Sequence, residues 1–600
     1  IASCLVGSEM CIRDRNKCLY LFVYFVFVRC FLLLSCLLFN KAFSIVRIWR
    51  VIMNYSIGID FGTASGRVFL VNTANGEIVS QYIKEYAHGT IEQQLNGQKI
   101  PQSFALQNAN DYMEVIEEGI PYIIKTANID VKDIVGIGID FTSSTVIFVD
   151  EYMEPIHNYE SFKDEPHAYV KLWKHHGAQA EADKLFQTAL QQKNRWLGYY
   201  GFNVSSEWMI PKIMEVQHQA PEVMAKTANI MEAGDWIVNK LTGKNVRSNC
   251  GLGFKAFWQE ETGFHYDLFD QIDNELSDIV RTKVDAPIVN IGETVGTLST
   301  AMADKLGLPD TVAVSPFIID AHASLLGIGS EKDREMTMVM GTSTCHLMLN
   351  KTQHKVPGIS GSVKGAIIPE LYAYEAGQSA VGDLFDYIAK QTPYEYVVEA
   401  KERNISIFEL LNEKAQKLAP GESGLVALDW HNGNRSVLSD STLTGSLFGM
   451  TLQTKHEDIY RAYMEATAFG TKMIMQQYQG WHMEVDNVYA CGGIPKKNTL
   501  LMEIYANVLN KTITVIDSEY APAIGAAILG AISGKAHHSF EQAIQAMKEP
   551  VLYQVEPEEA KVATYQKMFK AYKALHDLYG YKKASIMKNI KAIADEKFNQ

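Results

Sequence analysis

Twice along this chain a strand-forming run breaks at a Gly-Thr turn and resumes as a second strand. That repetition constrains the fold more than any other feature of the sequence. In Tyr55–Ser80 (YSIGIDFGTASGRVFLVNTANGEIVS) a β-branched strand meets a turn at Gly62-Thr-Ala-Ser65, and a second strand, an Asn-Gly turn and a third strand follow. In Met336–Asn350 (MTMVMGTSTCHLMLN) strand, Gly341-Thr-Ser343 turn and strand recur. A hairpin used twice, each time opening on a phosphate-sized loop, predicts a duplicated domain. Length agrees, because 600 residues exceed what one hydrophobic core sustains.

The segments between the hairpins alternate helix and strand, which predicts an α/β fold. A helix is expected over Asp111–Thr126 and a buried strand over Ile134–Asp140. A helical region rich in aromatics is expected through Trp173, Trp196, Trp208 and Trp236. Ser315–Ile319 reads as a strand and Ala321–Leu326 as a helix. Further helices are expected near Ala380–Lys390 and over Lys455–Tyr478. The core then closes with strand Val485–Ala490, helix Asn498–Leu509, strand Thr512–Ile516 and helix Ala521–Ser533, ahead of a charged helical tail after about Pro557.

The first 52 residues stand apart. Cys18–Phe39 is almost wholly apolar and long enough to span a bilayer. Five of the eight cysteines (Cys4, Cys11, Cys18, Cys30, Cys36) crowd into the first 36 positions. The opening LVGSEMCIRDR resembles a translated sequencing-library adapter, and Met53 stands just ahead of the first strand as a start codon would. The expectation is a non-native translated segment over 1–52, with a membrane anchor or a signal peptide as the alternatives. Elsewhere only Cys250, Cys345 and Cys491 remain, with no metal-ligand or disulfide spacing, so the body is expected to be reduced and cytoplasmic. A net charge of -14 argues against nucleic-acid binding, which needs a basic field.

Four motifs carry chemistry. In Asp60-Phe-Gly-Thr-Ala-Ser-Gly-Arg67, Gly62 permits a tight turn while Thr63 and Ser65 offer donors to phosphate oxygens. Asp60, at a strand end, suits Mg²⁺ held through water. Gly341, Thr342 and Ser343 repeat that chemistry, and two such loops can clamp a triphosphate. In Ala490-Cys-Gly-Gly-Ile-Pro-Lys-Lys-Asn498, Gly492 and Gly493 let the backbone approach a flat ring or a ribose. Asp320 stands between a strand and a small-residue helix, where backbone dipoles keep a carboxylate ionised and able to accept a hydroxyl proton. Each motif has a plainer reading: a polar hairpin turn, a tight strand-to-helix turn, or, for Asp320, a helix cap. His322 reads as a packing or hydrogen-bonding residue.

In this order the motifs resemble the nucleotide-binding fold shared by sugar kinases, actin and Hsp70-type chaperones. From about residue 55 to 580 the chain resembles the FGGY carbohydrate kinases. Gly445-Ser-Leu-Phe-Gly-Met450, Asp458-Ile and Ala462-Tyr-Met-Glu465 resemble the family's C-terminal signature, and Ser206–Lys212 partly resembles its N-terminal one. The resemblance implies two ribonuclease-H-like domains around a hinged cleft, over 53–331 and 332–580, with a tail over 581–600. ATP and Mg²⁺ would bind there, ATP through Gly62, Thr63, Ser65, Arg67, Gly341, Thr342, Ser343, Gly492, Gly493 and Asn498.

Several further segments are similar to the branch of this family that phosphorylates L-ribulose: Ile137–Thr142, Lys163–Ala168, Glu232–Trp236, Gly253–Ala256, Asp320–Ala323 and Tyr374–Gln378. By that resemblance Ser143, Lys255, Asp320 and Glu375 bind the sugar, with Asp320 as catalytic base. The expected reaction is ATP-dependent phosphorylation of L-ribulose at its C5 hydroxyl. Kinases of D-ribulose, xylulose or ribitol are the nearest alternatives, and a non-catalytic nucleotide switch is the alternative of another class. The expected partner is a small sugar, with no nucleic acid, no membrane and a possible homodimer.

Overall fold

Pro316 explains where the structure departs most from the expected strand pattern. A continuous strand over Ser315–Ile319 is replaced by two short ones, Ala313–Val314 and Ile318–Ile319. Proline has no N–H to give the ladder, so the strand breaks around it. The computed structural model describes residues 53–192 and 195–598. From Asn54 onward the chain forms one compact unit. The apolar run Cys18–Phe39 and the adapter-like opening lie outside the described residues. Among the described residues no helix is long and apolar enough to cross a membrane.

Two sheets share one plan. The first contains β1 (Tyr55–Phe61), β2 (Ser65–Asn72), β3 (Ile78–Glu85), β4 (Ile134–Phe141), β5 (Gly296–Thr297) and β6 (Ala313–Val314), in the order β5-β6-β4-β1-β2-β3. The second contains β7 (Glu335–Met340), β8 (Thr344–Asn350), β9 (Gly361–Lys364), β10 (Tyr372–Gln378), β11 (Asn487–Cys491), β12 (Ile513–Ile516) and β13 (Val551–Val555). Its order is β9-β10-β8-β7-β11-β12-β13. In each sheet the hairpin strand β1 or β7 pairs antiparallel with its turn partner and parallel with the strand on its other side. Apart from β9, directions match strand for strand, so the duplication expected from the two hairpins is present. The central strands read as continuous apolar runs because both faces are covered: all seven residues of β1 are buried.

Six helices matter for the site: α1 (Asn110–Ala127), α2 (Asn249–Lys255), α3 (Asp320–Ile328), α4 (Gly382–Lys390), α5 (His456–Gln479) and α6 (Thr499–Leu509). A seventh, α7 (Ala521–Ser533), follows β12 of the second sheet yet packs on β1 and β4 of the first. In the opposite sense α3 leaves the first sheet and contacts β7 and β8 of the second, and α3 and α7 pack on each other. The glycines at this crossing are required by distance. A Cβ on Gly138 would stand 1.8 Å from the Ala526 carbonyl oxygen, and one on Gly525 would stand 1.9 Å from that of Ala323. Small residues thus let α7 lie against the backbone of β4 on one side and of α3 on the other, where the two halves of the fold meet.

The aromatic region is largely helical, as expected, through Gln179–Gln191, a 3-10 helix at Arg195–Tyr200 that contains Trp196, Met209–Gln219, Pro221–Lys226 and Ala233–Thr242. Of Trp173, Trp196, Trp208 and Trp236, only Trp236 lies within an α-helix. Trp208 immediately precedes the helix Met209–Gln219, and Trp173 sits in a turn.

Candidate active site

The first site carboxylates are set by strand register. β1 and β4 run parallel with Asp60 opposite Asp140 and Phe61 opposite Phe141. The short strand Ile318–Ile319 pairs with the same end of β4, Ile319 opposite Phe141, and Asp320 follows at once. Three neighbouring parallel strands therefore deliver Asp60, Asp140 and Asp320 to one edge, the C-terminal edge at which open α/β sheets bind ligands.

Each carboxylate has a different environment. Asp60 is 4% exposed and accepts a 2.7 Å hydrogen bond from Arg67, its cross-strand partner on β2. Burial works against the Arg67 charge, but Asp60 and then Asp140 hold its pKa above the usual value. Asp140 is fully buried; among the described residues no N–H group donates to either carboxylate oxygen, and the side chain stands within hydrogen-bond reach of the Asp60 carboxylate. Burial, followed by the charges of Asp60 and Asp320, pushes its pKa well above the carboxylate range.

Asp320 opens α3, and its Oδ1 accepts a 2.7 Å hydrogen bond from the Ala321 N–H. From the strand-to-helix junction alone, backbone dipoles are expected to keep this carboxylate ionised. Instead burial pushes its pKa up to about 7. The Ala321 N–H opposes that rise, but the neighbouring charges of Asp60 and Glu375 add to it. The cap position itself belongs to Ile319, so Asp320 is not the helix cap.

A second cluster joins the two halves. Lys255, the last residue of α2, places Nζ 3.0 and 2.9 Å from the two carboxylate oxygens of Glu375 on β10. His322 Nε2 lies 3.1 Å from Glu375 Oε2, and its Nδ1 lies 3.2 Å from Cys250 Sγ. Burial lowers the His322 pKa and raises that of the Cys250 thiol. A neutral imidazole that donates to Glu375 and accepts from the thiol satisfies both contacts. Burial alone would raise Glu375, but Lys255 and then His322 hold it far below the usual carboxylate value. Asp320 experiences both Glu375 and Lys255 electrostatically, so the pair stands beside it.

The loops expected to hold phosphate each close on the N–H of their first glycine, the second loop being one residue shorter than the first. The Gly62 N–H donates to the Ser65 carbonyl at 3.0 Å, and the Gly341 N–H donates to the Ser343 carbonyl at 2.9 Å. Thr63 is fixed from outside its loop: Trp173 Nε1 donates to its hydroxyl at 3.1 Å and Gln107 to its carbonyl at 2.8 Å. Gly341 and Thr342 are exposed, and α4 begins against them, with the Val381 and Gly382 N–H groups bonding the Thr342 and Gly341 carbonyls.

Gly492 has φ 103°, and a Cβ there would stand 2.4 Å from the Met340 carbonyl oxygen. The Gly492-Gly493 turn thus abuts the strand end from which the second loop starts, with Gly493 exposed. The Asn498 side chain is engaged within the fold, capping α6 through the Leu501 N–H at 3.0 Å and donating to Asn412 at 3.1 Å. Ser143 lies half-buried in the turn after β4, where the Thr142 N–H donates to the Phe61 carbonyl at 3.1 Å.

Three features of this region escaped the motif reading. Asp140 had a visible signal, because Ile-Gly-Ile-Asp-Phe occurs at both 57–61 and 137–141. Trp173 had none, since its link to Thr63 is purely tertiary. The same holds for Arg435, which lies 3.7 Å from Glu207 across the two halves.

Two α/β lobes with matching sheets, phosphate-sized loops and a carboxylate beside a buried lysine–glutamate pair define a two-domain sugar-kinase architecture. Residues 55–327 match the N-terminal domain, and residues 336–534 the C-terminal domain, of the FGGY family of carbohydrate kinases. The chain belongs to this family and is a carbohydrate kinase. It is 79% identical over 541 residues to ribulokinase 2 of Staphylococcus saprophyticus, covering 90% of this chain and all of that protein. It is 72% identical over 544 residues to ribulokinase of Staphylococcus aureus, covering 91% of this chain and all of that protein.

Among solved structures, ligand-bound xylulose kinase from Lactobacillus acidophilus superposes with a TM-score of 0.73 at 18% identity, covering 89% of this chain and 100% of that one. Glycerol kinase from Plasmodium falciparum with ADP gives a TM-score of 0.69 at 17% identity, covering 86% and 97%. These last two likenesses establish the fold.

Proposed function

We propose that this chain is a ribulokinase, transferring the terminal phosphoryl group of ATP to the C5 hydroxyl of L-ribulose. The observation that carries the reading is the convergence of Asp320, at the sheet edge it shares with Asp60 and Asp140, with the Lys255–Glu375 pair, which His322 of the same helix also contacts. A polyol needs charged, fixed partners for its hydroxyls, and a nucleotide switch needs no such pocket. The ribulokinases of the two staphylococci, matched over their whole length, supply the sugar.

Asp320 takes the proton of the C5 hydroxyl as its oxygen bonds to the γ-phosphorus and the bond to the ADP oxygen breaks. With its pKa about 7 before substrate binds, it is matched to proton transfer near neutral pH. Lys255 and Glu375 hold sugar hydroxyls, with Ser143 at the other end of the pocket. Gly62 and Gly341 shape loops whose other N–H groups and hydroxyls, on Thr63–Ser65 and Thr342–Ser343, receive the phosphates; Arg67, oriented by Asp60, adds a donor to them, and Gly492-Gly493 faces the adenosine. Closure of the lobes excludes water, which limits wasteful hydrolysis.

The acidic edge fits a hydrated Mg²⁺. Asp140 is buried within reach of the Asp60 carboxylate and beside Asp320, with no N–H group among the described residues donating to it, a crowding of acidic groups that a cation would relieve. Among the described residues no group of three His, Cys, Asp or Glu side chains is close enough to ligate a metal directly. The carboxylates would therefore act through water, as Mg²⁺ prefers. When bound with ATP the ion would neutralise charge on the phosphates. Cys250, Cys345 and Cys491 are free thiols, which suits work in the cytoplasm.

The test is ADP release measured with L-ribulose, D-ribulose, D-xylulose, ribitol and glycerol. The proposal expects sugar-dependent ADP with L-ribulose preferred and D-ribulose weaker. Preference for xylulose or glycerol would overturn the ribulose assignment, and sugar-independent ATP turnover would overturn the kinase mechanism.

A further inference from the structure

We infer that Lys212 is a positioning residue for the sugar pocket, its buried ammonium tying the turn that carries Ser143 to the segment that carries Trp173. The inference rests on the ribulokinase reading for the identity of the pocket, and on geometry for the rest.

Lys212 lies one turn into the helix Met209–Gln219 and has no exposed surface. Its Nζ donates to the Ser144 carbonyl at 2.6 Å and to the Leu172 carbonyl at 2.9 Å. Those carbonyls belong to the immediate neighbours of the two residues of interest. Ser144 follows Ser143 and takes a positive φ of 55°, a conformation that residues with a side chain adopt uncommonly. Leu172 precedes Trp173, whose indole N–H in turn holds Thr63 of the first phosphate loop. Val146 pairs with Lys171, so the sheet brings the two segments side by side, and Lys212 fixes them where they leave it.

A lysine is a costly way to fill this space. Burial drives its pKa well down, while burial drives that of the fully buried Glu232 nearby well up, each charge only partly offsetting the other, and one Glu232 oxygen has no partner among the described residues. If packing alone were needed, an apolar side chain of similar volume would serve as well or better. What an apolar residue cannot do is satisfy two inward carbonyls at once. The consequence is graded: loss of the ammonium should loosen the sugar end of the cleft most, whereas at the nucleotide end it reaches only the Trp173 contact to Thr63, where Gln107 still holds the Thr63 carbonyl and both Gly-Thr loops still close through their own backbone bonds.

The experiment compares Lys212→Met with wild type, varying pentulose and MgATP separately. The inference expects KM for the pentulose to rise at least tenfold while KM for ATP stays within twofold, with faster amide exchange at 142–146 and 171–176. Equal changes in both KM values, or no change, in a folded variant would overturn it. Should Lys212→Met fail to fold, exchange in the wild type decides. The pentulose alone should then protect 142–146 and 171–176 together, and protection of one segment or neither would overturn the inference. A wild-type enzyme that ignores ribulose but turns over another pentulose would count against the ribulose assignment only, and the same comparison is then made with that pentulose.

Discussion

Replacing Glu375 by alanine separates the sugar contacts from the nucleotide contacts. In the intact protein Glu375 accepts from Lys255 at 3.0 and 2.9 Å and lies 3.1 Å from His322. The Lys255 side chain is 4% exposed and that of Glu375 12%, so the pair is nearly buried. Removing one partner of a buried pair costs about 3–5 kcal/mol, and the remaining exposure puts this case at the lower end.

A sugar hydroxyl that loses a charged partner forfeits roughly 1.5–3 kcal/mol. At 1.36 kcal/mol per tenfold, that is a fall in kcat/KM of about ten- to 150-fold. Because the lost contact reads stereochemistry, Glu375→Ala should also compress the preference for L-ribulose over D-ribulose and D-xylulose. KM for ATP should move by less than threefold. Steady-state kinetics on the three sugars, with urea unfolding to confirm the native state, measure all of this. A folded Glu375→Ala enzyme with kcat/KM within threefold of wild type and unchanged sugar preference would refute the placement of Glu375 in the pocket.

The pH profile of kcat/KM should lose activity on the acid side with an apparent pKa near 7, since burial raises Asp320 and only its ionised form accepts a proton; a limb near 4 would contradict that. Asp140→Asn should raise the melting temperature, because an acidic group whose burial beside Asp60 and Asp320 is costly is removed, while the Mg²⁺ concentration for half-maximal activity rises severalfold. Lower stability with unchanged Mg²⁺ dependence would show that Asp140 only packs. Gly138→Ala should destabilise by about 1–3 kcal/mol or more in chemical denaturation, because its Cβ would meet the Ala526 carbonyl at 1.8 Å. Wild-type stability in that variant would mean that α7 can move off the sheet.

Local chemistry decided what the sequence could disclose. Both hairpins were legible because Gly62-Thr63 and Gly341-Thr342 interrupt strand patterns with turn residues, a short-range code. Helices such as α6 and α7 were legible from periodicity and small-residue content. Ser315–Ile319 misread as one strand because its apolar pattern outweighed Pro316. Asp320 was located by its strand-to-helix junction, yet its ionisation was misjudged. Helix dipoles are visible in sequence, whereas burial beside Asp60 and Glu375 arises only on folding. Lys212, Trp173 and Arg435 act through residues distant in the chain, so no spacing announces them. Asp140 lies between these cases: its pentapeptide repeats that of Asp60, but no glycine turn follows to mark it.

The central claim is that Asp320 is the base in sugar-dependent phosphoryl transfer. The most direct measurement is ribulose-dependent ADP release by wild type and Asp320→Asn at saturating MgATP, with nucleotide affinity measured in parallel. The expected result is a fall in kcat of roughly 10²–10⁴, with ATP affinity within twofold. Turnover within tenfold of wild type would contradict the claim and leave Asp320 as a structural residue at the start of its helix.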